Sequence, residues 1–112
     1  MPVEPVYLGE FEQMVLLAVL SADEAGGIAY GVTVHGELEG RTKRKVARGA
    51  IYMTLDRLEK KGLLSSYVTD PTPERGGRAK RCYKVTRTGM SALRTSREAL
   101  MNLWHGLRIA EK

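Results

Sequence analysis

Gly49-Ala50-Ile51-Tyr52-Met53-Thr54-Leu55-Asp56-Arg57-Leu58-Glu59-Lys60-Lys61-Gly62-Leu63 is the stretch on which the fold turns. Ile51, Leu55 and Leu58 fall on one side of a helical wheel, which predicts an amphipathic helix with those three inward and Gly62 as its stop. At about 100° per residue, Gly49, Met53, Asp56 and Lys60 lie opposite, with Arg48 and Tyr52 on one flank and Arg57 on the other. The chain then changes character. Leu63 to Asp70 holds Leu, Val, Tyr and Thr and reads as a strand, and Arg81 to Val85 reads as its partner. Pro71, Pro73, Gly76 and Gly77 between them continue neither, so the pair is a β-hairpin with a long basic tip.

On the N-terminal side, Phe11, Met14, Val15, Leu17, Ala18 and Leu20 recur at three- and four-residue steps between Glu10 and Ser21. That spacing predicts a helix buried over most of its circumference. Ala22 to Gly27 reads as a loop, and Tyr30, Val34 and Leu38 form the stripe of a short second helix closed by Gly40 at a C′ position. Arg41 to Lys45 connects it to the third helix. On the C-terminal side, Thr86 is the N-cap of a last helix whose Met90, Leu93, Arg97, Leu100, Trp104 and Leu107 make a heptad seam interrupted by one Arg. Helix, helix, helix, strand, basic hairpin, strand, helix is the order of a winged helix-turn-helix, mainly α with a small β-hairpin. In that fold the third helix enters the major groove and the hairpin reaches the flanking backbone. Residues 8–87 make the DNA-binding domain, and residues 88–109 a C-terminal dimerisation helix of the same compact unit.

Charge sharpens this reading. The chain of 112 residues is one domain's length, and its eighteen Lys and Arg against thirteen acids give a net +5. Between Arg41 and Arg87, fourteen Lys and Arg stand against four acids, a net of +10, so the remainder carries −5. Such a block predicts one basic face for an anionic partner. The single Cys82 excludes an internal disulfide and a Cys-based zinc site, which points to a reducing cytoplasm and to no metal or other cofactor. The longest apolar run, Met14 to Leu20, is far short of the roughly 20 residues of a membrane span, and Met1 to Pro5 has no positive leader region. A soluble protein with no membrane partner is expected. No Ser-His-Asp order, phosphate loop or carboxylate pair supports an enzyme.

From Leu8 to Leu107 the chain resembles the PadR-like transcriptional regulators. The resemblance is carried by Leu8-Gly9-Glu10-Phe11-Glu12, by Tyr30-Gly31, by the whole stretch 49–63, by Glu74-Arg75-Gly76-Gly77-Arg78-Ala79-Lys80-Arg81 and by Tyr83-Lys84-Val85-Thr86. It implies a dimeric DNA-binding repressor of the short subfamily with a single C-terminal helix. The chain departs from the family at Ala47, where a capping Ser is usual, at Cys82, where an aromatic is common, and at Arg87, where Pro often starts the last helix.

The candidate DNA contacts follow from position and chemistry. Gly49 and Met53 sit on the outward face of the third helix, where a small residue permits close approach to base edges, and Arg48 and Arg57 flank them. Tyr52 either packs under the wing or reaches a phosphate, and the resemblance favours DNA. Lys43, Arg44 and Lys45 precede the helix and would hold a strand backbone. Arg75, Arg78 and Lys80 surround the wing glycines and would follow a minor groove, although Arg75-Gly76-Gly77 also matches an RNA-binding tripeptide. Lys60, Lys61 and Asp56 read as solvated, and His35 and His105 as isolated surface residues.

Leu93, Arg97, Leu100, Trp104 and Leu107 are the candidate dimer interface, the alternative being a helix folded back onto its own core. Trp104 doubles as the candidate wall of a pocket for a small aromatic effector. The expected partners are double-stranded DNA and a second copy of the chain, bound as a homodimeric repressor to a palindromic operator. The rival readings are a winged-helix protein-interaction module or RNA-binding adaptor, and a ligand-binding dimer whose DNA role is secondary.

Overall fold

The computed structural model describes residues 6–69 and 79–111. It is built from α1 (Glu10–Glu24), α2 (Gly31–Thr42), α3 (Arg48–Lys60), β1 (Leu64–Val68), β2 (Arg81–Val85) and α4 (Arg87–Trp104), with a 3₁₀ turn at Arg108–Glu111. The mainly helical winged helix-turn-helix is therefore as the sequence predicts. One core joins Val15, Leu16 and Val19 of α1, Val34 and Leu38 of α2, Ile51, Leu55 and Leu58 of α3, Leu63 and Leu64 of the hairpin, and Leu93 of α4.

Two helix ends and one burial differ from expectation for local reasons. The buried stripe of α1 is Val15, Leu16, Ala18, Val19 and Ala22, so the helix continues through Ala22 to Glu24 where a loop was expected. The same phase turns Leu17 outward, 52% exposed, although its spacing placed it in the core. Gly40 does not close α2. The helix runs two residues further and ends at Lys43, which takes the left-handed conformation (φ 61°) and donates its amide to the Glu39 carbonyl at 2.9 Å.

β1 and β2 pair antiparallel with Leu64 opposite Val85 and Val68 opposite Arg81. A third short partner was not anticipated. Tyr30 bridges Cys82, and the Tyr83 amide donates to the Ala29 carbonyl at 2.8 Å, so the segment entering α2 lies against β2. Cys82 is thereby fully buried.

The start of α4 is fixed to the end of α3. Thr86 Oγ1 accepts the Gly89 amide at 3.0 Å, as an N-cap should. The same hydroxyl donates to the Gly62 carbonyl at 2.7 Å, and the Thr86 amide donates to Leu63 at 3.1 Å. Gly89 passes so close to the Leu63 carbonyl that a β-carbon there would collide with it. Further along, the buried Ser96 hydroxyl accepts the Leu8 amide at 2.9 Å, tying the middle of α4 to the strap that enters α1. Beyond that point α4 leaves the core: Leu100, Met101, Leu103 and Trp104 are all exposed. The helix stops at Trp104, so Leu107 lies after a turn at Gly106 (φ 80°) and does not continue the seam.

Among the described residues no helix is long and apolar enough to cross a membrane, and no group of His, Cys, Asp or Glu is arranged to hold a metal ion. Gly89→Ala is expected to destabilise the protein by about 1–3 kcal/mol through overpacking against rigid backbone. A lowered urea midpoint is the readout, and an unchanged one would show that this helix start has room to move.

Candidate nucleic-acid interface

The turn between α2 and α3 sets the entry of the third helix. Val46 is held at both of its backbone groups: its amide donates to Glu39 Oε2 at 2.8 Å, and its carbonyl lies 2.8 Å from His35 Nε2, which makes that nitrogen the donor. His35 Nε2 also lies 3.4 Å from Glu39 Oε2. His35 is thus a half-buried clamp of the turn and not the surface residue its isolation in sequence suggested. His105 is exposed. Ala47 occupies the N-cap position in extended geometry (φ −64°, ψ 136°) with no side-chain hydrogen bond, so the first amides of α3 have no side-chain partner.

The phase of α3 is the one its sequence predicts. Ile51, Leu55 and Leu58 are buried, with Thr54 beside them, while Arg48, Gly49, Tyr52, Met53, Asp56, Arg57 and Lys60 are exposed. A β-carbon on Gly49 would meet nothing within 4 Å, so that point of the face is open. Tyr52 packs against the start of α2. Its ring lies over Gly31 at the start of α2, so closely that a β-carbon there would collide with it, and the ring remains half exposed.

Several basic residues that the sequence groups into one block hold the fold together. Arg44 pairs with Glu10 at 3.2 Å, so its guanidinium turns back to α1. Lys61 pairs with Glu12 at 2.8 Å, Lys84 with Asp23 at 3.0 Å and Lys60 with Asp56 at 3.1 Å. The Lys61 hydrogen bond holds the Glu12 carboxyl below the usual carboxylate range, against an opposing effect of burial. Glu59 was not singled out in the sequence, yet it orients the hairpin on α3. It accepts from Ser66 Oγ of β1 at 2.5 Å and from Arg81 Nη2 of β2 at 3.0 Å. Its partners are seven and 22 residues away, and no short motif signals such a bridge.

Lys43, Lys45, Arg48 and Arg57 are exposed and enter no ion pair among the described residues. They surround the outward face of α3 and the turn before it. Lys80, at the base of the wing, places its Nζ 4.6 Å from the centroid of the Tyr30 ring, a cation–π contact. Arg75 and Arg78 lie outside the described residues.

The proposed dimer seam divides in two. Leu93 is buried in its own core, whereas Arg97, Leu100, Trp104 and Leu107 are exposed. Between α1 and α4 runs an open groove of about 360 Å³ whose walls include Leu17, Leu20, Leu93, Leu100, Met101 and Trp104.

A model of the transcriptional regulator PadR-like family matches residues 16–95. A search of curated protein sequences found no significant match. Among solved structures, the chain is similar to a PadR-like transcription factor from Bacteroides fragilis, with 22% identity, a TM-score of 0.68, and 83% of this chain and 82% of that one covered. It is also similar to RosR of H. salinarum, with 24% identity, a TM-score of 0.66, and 89% and 80% covered. A PadR family regulator from Clostridium difficile aligns at 22% identity with a TM-score of 0.62, covering 86% of this chain and 99% of that one. At these identities the structural likeness concerns the fold.

Because Ala47 already has cap geometry, Ala47→Ser is expected to raise stability by about 1 kcal/mol by accepting one of the free amides. An unchanged unfolding midpoint would mean that those amides are satisfied without a side chain.

Proposed function

The chain belongs to the PadR-like family of transcriptional regulators, and on that premise we propose that it is a homodimeric repressor acting in the cytoplasm on a palindromic operator in double-stranded DNA. As a member of that family it is a binding protein and not an enzyme. The observation that carries the reading is the set of exposed cations, Lys43, Lys45, Arg48 and Arg57, standing around the outward face of α3 without acidic partners among the described residues. With α3 in the major groove, Gly49 allows close approach, and Arg48, Tyr52, Met53 and Arg57 reach base edges or phosphates. Lys43 and Lys45 lie near the strand backbone, which fixes register and carries no sequence information, while Arg44, the third cation of that run, is drawn back to Glu10. Lys80 supports the wing that carries Arg75 and Arg78 along the flanking groove.

Dimerisation is supported by the apolar face that α4 and α1 leave in water. Leu17, Leu100, Met101, Leu103 and Trp104 are all exposed, and soluble monomers seldom leave a contiguous patch of this kind uncovered. Arg97, Leu100 and Trp104 of α4 would meet a second copy, with Leu107 at the margin, while Leu93 serves its own core. A two-fold dimer would set its two α3 helices about 34–36 Å apart, the spacing of successive major grooves. Repression would follow from occlusion of the promoter. A small aromatic effector stacked on Trp104 in the α1–α4 groove would release it by favouring a dimer geometry with another spacing. A shift in Trp104 fluorescence on titration of aromatic compounds reads this out.

Salt-dependent titration tests the central reading. The affinity for a selected duplex should fall with salt by about 0.9 in log K per phosphate contacted. Lys45→Ala should lower that slope and weaken binding to all duplexes alike. Weak, equal binding to every duplex, or a preference for RNA, would favour the adaptor and overturn the repressor. Leu100→Asp is expected to sediment as a monomer with lost operator affinity. A persistent dimer would show that α4 is not the seam.

A further inference from the structure

We propose that Met53 is the residue through which this protein reads the C5-methyl group of thymine, and that each half-site carries a thymine opposite it. The proposal rests on the regulator reading above and names one specificity determinant within it. Met53 is 67% exposed at the centre of the outward face of α3, on a helix whose other exposed side chains include Arg48, Asp56, Arg57 and Lys60. A long apolar side chain there gains nothing from the fold, because the inward stripe is already filled by Ile51, Leu55 and Leu58.

The neighbours of Met53 leave it available. Side chains on a helix lean towards its N-terminus, over the residue four positions earlier. For Met53 that residue is Gly49, which has no side chain and open space around it. No side chain therefore crowds Met53 from the N-terminal side of the face. Tyr52 does not cover it, since its ring is engaged with Gly31. Asp56, one turn on, is held by Lys60 at 3.1 Å, which draws its carboxylate into an ion pair. Arg48 and Arg57 carry no such partner among the described residues and can bind the phosphates on either side.

In the major groove the only apolar group on a base edge is the methyl of thymine, whereas cytosine presents an amino donor at the neighbouring position. A thioether is a weak acceptor, so cytosine opposite Met53 would be left with a dehydrated, poorly paired donor. Thymine meets it with mutual burial of apolar surface. The flexible methionine chain can settle on the methyl without exact placement.

The test selects duplexes from a random-sequence pool with the full-length protein, then replaces each thymine of the enriched site by deoxyuridine, which lacks only the methyl. At one position per half-site the replacement should cost roughly fourfold in affinity, the value of one buried methyl-sized group. The penalty should vanish in Met53→Gln and persist in Met53→Leu, both of which change an exposed side chain and should leave the circular dichroism spectrum as it was. An enriched site indifferent to uracil at every thymine overturns this proposal alone, as does a uracil penalty that survives in Met53→Gln. Failure to enrich any duplex overturns the regulator reading and this proposal with it.

Discussion

Three side chains with no exposed surface, Ile51, Leu55 and Leu58, fix the rotation of α3 about its own axis. A helix turned by one residue, about 100°, would send Arg57 or Asp56 towards the core and bring Leu55 or Leu58 to the surface. The transfer of a large aliphatic side chain is worth about 1.5–3 kcal/mol, so any such rotation is strongly opposed. The contents of the outward face are therefore set by burial on the other side. The two ends of the helix are then held separately. Glu39 and His35 grip Val46 before it, and Thr86 grips Gly62 after it.

The acidic remainder of the chain contributes to this arrangement. Glu10, Glu12 and Asp23 all lie on α1, and each draws in a cation from the basic block, namely Arg44, Lys61 and Lys84. Glu59 does the same for Arg81 within the block itself. Exposed pairs of this kind add little stability one by one, about 0–1 kcal/mol. Their larger consequence is positional, because they determine which cations remain unpaired and where. Among the described residues of the block, the exposed cations outside any ion pair are Arg41, Lys43, Lys45, Arg48, Arg57, Lys80 and Arg87; Lys43, Lys45, Arg48 and Arg57 stand around α3, and Lys80 lies over Tyr30.

Periodicity and the cap residue made α3 and the start of α4 legible, because each rests on neighbours within a few residues, and the run of Pro and Gly between two strand-like segments marked the hairpin. The errors fall where tertiary contact decides between local alternatives. Leu17 fits a three-to-four spacing as well as Leu16 does, and only the packing of α1 against the other helices selects Leu16 for burial. Gly40 carries a stop signal, but Lys43 can adopt the left-handed conformation itself, at a modest cost for a non-glycine residue. His35 looked isolated because its partner is a backbone carbonyl eleven residues away, which has no sequence signature. The bridge of Tyr30 to Cys82 was hidden in the same way, since Ile28-Ala29-Tyr30 is too short to register as a strand.

The last helix is divided between its own core and solvent. Its first half is consumed by the fold: Gly89 abuts Leu63, Leu93 enters the core and Ser96 holds Leu8. A helix of 18 residues extends about 27 Å, more than the core can cover, so its second half projects with Leu100, Met101, Leu103 and Trp104 uncovered. The heptad spacing runs through both halves without a break, which is why sequence alone could not say where one role ends. Ser96 marks the division. It is the last side chain of α4 that is fully committed to the core, and it sits one turn before Leu100. Because the covered half is rigidly tied to Gly62 and Leu63 at the end of α3, any partner that reorients the exposed half acts on the same rigid body that carries the outward face of α3. A dimer seam built here would be mechanically continuous with α3, so a ligand lodged beside Trp104 would need only to tilt α4 to change the distance between two such helices.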